Sequence, residues 1–205
     1  MTAFASPQKL HAAVESSFPP GKEKAGRNLW RIDRLDSAMY LLVLSGEKPD
    51  FSHIVEQFGW PNAEQNWETK NYNRLMEQIE TRQRWQFRLR ANPVHSVKQN
   101  NGLHTEESVK RGKVYAHVTV KQQEQWLLER AARYGFKLQE GSFRVVQQEV
   151  RQFMRQRKQV TLGIATFEGI LEVTDVTLFL RAMACGIGRA KAYGCGLLTV
   201  AKVQS

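Results

Sequence analysis

Two groups of residues in this sequence could do chemistry on a charged substrate. One is a histidine near the start, His11, within Gln8-Lys9-Leu10-His11-Ala12-Ala13-Val14. Imidazole titrates near neutral pH and can give or take a proton there. The other is the stretch Gly186-Ile187-Gly188-Arg189-Ala190-Lys191-Ala192-Tyr193-Gly194-Cys195-Gly196-Leu197-Leu198, where four glycines stand beside two cations. Glycine permits positive φ and close backbone approach, and successive N–H groups in such a loop can form an anion-binding nest. Gly186, Gly188, Gly194, Arg189 and Lys191 are therefore candidate phosphate contacts. Plainer readings stay open: a glycine turn packed on a sheet, and a histidine idle at the edge of an apolar stripe. The stretch is not G-x-x-x-x-G-K-[ST], and it does not follow a strand and open a helix as a dinucleotide fingerprint would.

More cations collect elsewhere. Arg155, Arg157 and Lys158 crowd onto a turn between two alternating segments, the shape of a basic hairpin tip that could enter a nucleic-acid groove. In Trp85-Gln86-Phe87-Arg88-Leu89-Arg90-Ala91-Asn92-Pro93, Trp85, Phe87 and Leu89 face one side and Arg88 and Arg90 the other. From Thr81 to Lys113 there are eight Lys or Arg against two Glu, Arg111 and Lys113 among them. A solvated hairpin or a solvated sheet face would account for some of this charge. The carboxylates form no cluster suited to a metal nuclease, and the histidines are too scattered for a ligand set. Neither a metal nor another cofactor is expected.

The elements that position these groups follow from local signals. Ser6-Pro7 opens a helix carrying Leu10, His11 and Val14, which stops before Phe18-Pro19-Pro20-Gly21. Leu29 to Leu35 and Met39 to Leu44 read as a hairpin, its second strand apolar enough to be buried on both faces. A short helix is expected over Phe51 to Phe58, and a strand over 85–91. Residues 94–113 read as a basic linker or mobile loop. An apolar alternation at Val114, Ala116, Val118 and Val120 predicts a strand. Gln122 to Tyr134 predicts a helix capped by Gly135. Strands follow over Phe143–Phe153, Val160–Phe167 and Phe167–Val173, then a helix over Val176–Cys185 opened by Asp175, and a last strand after the glycines.

The second half thus reads in the βαββαβ order of a ferredoxin-like fold. The first half shows the same order without its first strand. The expected architecture is α+β: two tandem ferredoxin-like domains of the RNA-recognition kind, over 1–93 and 114–205, joined by the basic segment 94–113. The chain has 205 residues, enough for a real core, and a formal net charge of +10. Such a charge favours a polyanion, nucleic acid first. No apolar run approaches the roughly 20 residues of a spanning helix. With two cysteines, Cys185 and Cys195, and no CxxC pair, the sequence fits a reducing cytoplasm.

Taken together, Phe87-Arg88-Leu89-Arg90-Ala91-Asn92-Pro93, Phe167-Glu168-Gly169, the glycine stretch and the segment around His11 resemble the CasE (Cse-type) CRISPR RNA endoribonucleases of type I-E systems. The resemblance covers nearly the whole chain in the right order. It implies a protein that cuts the CRISPR precursor transcript within each repeat, at the base of a stem-loop. It also implies that the protein stays on the product as a subunit of the Cascade complex and is a monomer when free. The family reaction is metal-independent: the 2′-OH before the scissile phosphate attacks, leaving a 5′-OH and a 2′,3′-cyclic phosphate. His11 matches the family's catalytic histidine, and the Arg155, Arg157, Lys158 turn matches its stem-binding hairpin. Lys191 and Arg189 would oppose the developing charge or bind the stem. Two departures stand out. Gln8 occupies the place where the family often has a tyrosine, and ten residues before His11 are too few for the family's first strand, so the expectation is a chain that starts downstream of its natural start or a truncated variant. A non-catalytic stem-loop-binding subunit of the same architecture is the alternative.

Overall fold

A computed structural model describes residues 6–19, 26–35, 38–58, 66–97 and 113–203. In chain order the elements are α1 (Pro7–Ser16), β1 (Leu29–Leu35), β2 (Ala38–Leu44), α2 (Ser52–Phe58), α3 (Asn73–Met76), β3 (Arg84–Ala91), β4 (Val94–Val97), β5 (Lys113–Ala116), α4 (Val120–Ala131), β6 (Phe136–Lys137), β7 (Phe143–Arg155), β8 (Lys158–Val173), α5 (Val176–Cys185) and β9 (Leu198–Lys202). Two short 3-10 turns, Ala132–Tyr134 and Lys191–Tyr193, follow α4 and precede β9. The strands pair antiparallel throughout, as an α+β chain requires.

Pro7 at the first position of α1, with Ser6 extended before it, starts the helix as expected. Its apolar residues Leu10 and Val14 pack on Trp30 of β1, with Ile32, Leu41 and Val43 around them. The hairpin aligns Trp30 with Val43 and Ile32 with Leu41. β2 departs from expectation. It is not buried on both faces: Tyr40 is 50% exposed and Leu42 38%. Among the described residues β2 has one strand neighbour and α1 covers one face, so the other face meets water.

The larger sheet corrects the expected division of the chain. The strand at 84–91 does not close the first unit. It lies inside the second sheet between β8 and β9, with Arg88 opposite Glu168 on one side and Thr199 on the other. The order runs β7, β8, β3, β9, with β6 also on β8. The βαββαβ order therefore starts at β3, not at residue 114. The cause is burial: Trp85, Phe87 and Leu89 share a core with Trp126, Phe167 and Phe179. The expected strand over 114–120 shrinks to β5, which pairs with β4 in a separate two-stranded ribbon exposed along β5. Val120 already belongs to α4. Thr119 caps that helix in a capping box with Gln122, which the alternating valines hid. The expected linker over 94–113 contains β4 and ends in the first residue of β5, and its middle lies outside the described residues.

β8 is one strand of 16 residues rather than two. It forms a long hairpin with β7 that ends at Gln156 and Arg157, both at positive φ (46° and 63°), the paired geometry that follows a hairpin's twist. α5 begins at Asp175, whose carboxylate accepts the Leu178 N–H at 2.9 Å.

One buried arginine joins the first hairpin to the second sheet. Arg31 of β1 is 2% exposed. It donates to both carboxylate oxygens of Asp33 at 2.8 Å, to the carbonyls of Arg88 and Leu197 at 3.0 Å, and to Thr199 Oγ1 at 2.8 Å. Breaking a buried pair on one side strands the other charge. Arg31→Met is expected to cost about 4 kcal/mol of stability in urea denaturation. Arg34→Met, at an exposed position near the end of the same strand, should stay within about 0.5 kcal/mol of wild type.

Candidate functional site

His11 lies one position beyond Leu10, so the helix that buries Leu10 holds the imidazole at the rim. Its side chain is 34% exposed, with Nδ1 3.9 Å from Glu15 Oε1 one turn on. α1 packs on the 3-10 turn Lys191–Tyr193 and touches β7. Tyr193 in turn meets Phe153 of β7, ring centroids 4.8 Å apart. The fold thus brings the start of the chain, the glycine stretch and the basic hairpin to one place. α1 is anchored from behind by α2: a His53 ring nitrogen lies 3.1 Å from the Ala13 carbonyl oxygen and 3.3 Å from Ser16 Oγ.

Lys191 is half-buried in this site. Its ammonium is pushed below the ordinary lysine range, first by burial and further by Arg27, against the opposing pull of Tyr134. A lysine so placed is a better proton donor than an exposed one, and a cation poorly hydrated enough to favour an anion beside it. Arg189 is exposed next to it.

The glycines let the loop pack closely on its neighbours. Gly186 and Gly194 are buried. A Cβ on Gly194, at φ 76°, would come 2.6 Å from the Trp30 ring. Several loop N–H groups already have protein acceptors: Gly186 to Ala182 O, Ile187 to Gly196 O, Gly196 to Arg90 O, and Gly188 to the Tyr134 hydroxyl. Gly186, Gly188 and Gly194 each have a packing role. They let the loop sit flat on Trp30, Leu29 and Trp126, and so place Arg189, Lys191 and Tyr193.

The other cations divide. Arg155, Arg157 and Lys158 stand exposed at the tip of the β7–β8 hairpin. Arg88 and Arg90 do not face solvent as free cations. Arg88 pairs with Glu168 and lies 3.3 Å from Asp33, and Arg90 pairs with Glu149. Alternation placed them correctly on the polar side of β3, but that side is covered by the first hairpin and by acids of β7 and β8. Lys113 is exposed on the ribbon, and Arg111 lies outside the described residues. Among the described residues no three His, Cys, Asp or Glu side chains gather as a metal site would need. No spacing rule singles out Tyr193 or Phe153; only the fold makes them neighbours.

A family model described as "CRISPR associated protein" matches residues 1–202. The chain is 29% identical over 214 residues to the CRISPR-associated endoribonuclease Cse3 of Thermus thermophilus, covering 97% of this chain and 91% of the relative. It is 30% identical over 118 residues to the CRISPR system Cascade subunit CasE of Escherichia coli, covering 56% of each. Among solved structures it resembles Thermus thermophilus Cse3 bound to an RNA representing a pre-cleavage complex: TM-score 0.73, 28% identity, 98% of this chain and 91% of the other.

The contact of Gly194 with Trp30 gives a stability test. Gly194→Ala combines positive-φ strain with overlap on a ring, expected to cost about 3 kcal/mol. Gly141, at φ 77° with nothing within 4 Å of its would-be Cβ, should cost about 1 kcal/mol on the same change. Equal losses in urea titrations would remove packing on Trp30 as the reason for the glycine.

Proposed function

The chain belongs to the CRISPR-associated protein family, and on that premise we propose that it is an endoribonuclease that processes CRISPR RNA. It cuts the precursor transcript within the repeat, at the base of a stem-loop, and remains on the mature RNA with the other Cascade subunits. The observation that supports this reading is the seating of α1, which carries His11, on the Lys191–Tyr193 turn, with Tyr193 against Phe153 of the basic hairpin.

The proposed reaction needs proton transfer and charge neutralisation. The 2′-hydroxyl of the nucleotide before the cut attacks the adjacent phosphorus and loses its proton. The bond from phosphorus to the 5′-oxygen of the next nucleotide breaks, and that oxygen gains a proton. The ends are a 2′,3′-cyclic phosphate and a 5′-hydroxyl. His11 exchanges protons with the reacting oxygens, a role suited to a half-exposed imidazole. Lys191 and Arg189 oppose the charge that builds on the phosphoryl oxygens. Arg155, Arg157 and Lys158 hold the stem through its phosphates, at the end of a hairpin long enough to reach along it. No step is assigned to a metal. No helix among the described residues is long and apolar enough to cross a membrane. The free thiols Cys185 and Cys195 support a reducing compartment, and we propose the cytoplasm.

His11→Ala is expected to slow cleavage of repeat RNA in EDTA by about a hundredfold or more while leaving the dissociation constant within about twofold. A 2′-deoxy at the nucleotide before the cut should block the wild-type protein equally. Tight binding with no cleavage by wild type would instead mark a stem-loop-holding subunit. Replacing Arg155, Arg157 and Lys158 together with alanine should weaken stem-loop binding and lower the slope of log affinity against log salt by about two to three.

A further inference from the structure

Away from His11 and the hairpin tip, a second group of cations and rings lies along α4 and the β4–β5 ribbon. Arg130 lays its guanidinium over Trp126, 4.9 Å from the ring, and Arg133 does the same over Tyr134. Arg133 also donates to the Tyr134 hydroxyl at 3.0 Å, the same oxygen that accepts from the Gly188 N–H. At the other end of the helix the ribbon carries His95 and Tyr115, and His117 follows directly after it. His95 and Tyr115 stack with centroids 5.9 Å apart, and the His117 ring lies tilted against His95 at 4.8 Å. Tyr115 is 49% exposed. The ribbon is tied down on this face: His117 N–H donates to Pro93 O at 3.0 Å, Gln123 Nε2 to His117 O at 2.9 Å, and Gln148 Nε2 to Val118 O at 3.1 Å.

The cations in this strip press on one another. Arg130 is pushed below its ordinary pKa by burial and then by Arg133; His117 is pushed down by burial, then by His95 and Arg130. The acid beside them is Glu129. It lies 3.8 Å from Arg130, mostly in solvent, and accepts from Gln125 as well. Crowded cations whose neighbouring acid lies mostly in solvent are relieved further by an anion. Planar rings exposed beside them suit bases. Phosphate-binding cations with aromatic platforms are the combination by which proteins hold single-stranded nucleic acid.

We propose that the β4–β5 ribbon and α4 form a second RNA site, in which Tyr115 and His95 stack on unpaired bases and Arg130 and Arg133 hold the backbone of the single strand continuing from the stem-loop. This site rests on the endoribonuclease reading above. It leads to Gly188 through Tyr134, so a strand lying on it would run up to the glycine loop and Lys191.

The test compares two labelled RNAs in fluorescence anisotropy: the repeat stem-loop alone, and the same stem-loop with its natural single-stranded flanks. Wild type should bind the flanked RNA about tenfold tighter. Tyr115→Ala and the double variant Arg130→Gln/Arg133→Gln should each lose most of that preference and keep wild-type affinity for the bare stem-loop. The double variant should also show a salt slope lower by about one to two on the flanked RNA alone. Tyr115 is exposed on a short ribbon, so its variant serves if the arginine pair disturbs α4. Flanks that add nothing for wild type would overturn the second site and leave the endoribonuclease reading intact. Variants that bind both RNAs like wild type would also overturn it, and would leave the ribbon facing a protein instead. Failure of wild type to bind either RNA would overturn both readings.

Discussion

The arrangement depends on Arg31. A guanidinium with only the Asp33 carboxylate for company would be a poor tenant of a protein interior, since desolvation costs more than one pair returns. Here its donors also meet two backbone carbonyls and a threonine hydroxyl from two different strands of the second sheet. Those bonds set the first hairpin against β3 and β9 at one register. α1 rides on that hairpin through Trp30, and the glycine loop lies flat on the same tryptophan. The position of His11 relative to Lys191 is therefore decided two layers away, by a residue that touches neither.

The local elements were legible because their signals are local. Ser6-Pro7 and Asp175 announce helices, Gly135 ends one, and the alternation through Trp85, Phe87 and Leu89 announces a strand. Partnership was not legible. Nothing in residues 84–91 says that they pair with 158–173 and 198–202 rather than with the hairpin just before them, because that choice is made by which aromatic rings share a core. The same gap explains the site. The types of His11, Lys191 and the hairpin cations could be read from sequence, and the family resemblance placed them in order. The covered state of Arg88 and Arg90 could not, since alternation reports which side of a strand a residue faces and not what lies over that side.

The net charge of +10 is also clearer once placed. Arg31, Arg88, Arg90 and Lys137 are matched by Asp33, Glu168, Glu149 and Glu172, and add little to the outer field. The cations without close acids gather at the hairpin tip and around the glycine loop. A polyanion approaching this protein meets cations from the hairpin and the glycine loop side by side, where Tyr193 packs on Phe153, next to a sheet whose charges are already matched, which fixes direction as well as attraction.

β2 has a further physical effect. Among the described residues its outer edge is unpaired, and the face carrying Tyr40 and Leu42 is open; both are of the kind that templates pairing between copies of a chain. What keeps copies apart is their shared positive charge, and that protection has a range of only about 8 Å at physiological ionic strength. The colloidal behaviour of the protein is thus tied to salt in a direction opposite to the usual salting-in of a basic protein: screening exposes a sticky edge. Nucleic acid, by neutralising the same charges, brings two such edges within reach of each other unless the complex it sits in keeps them turned away.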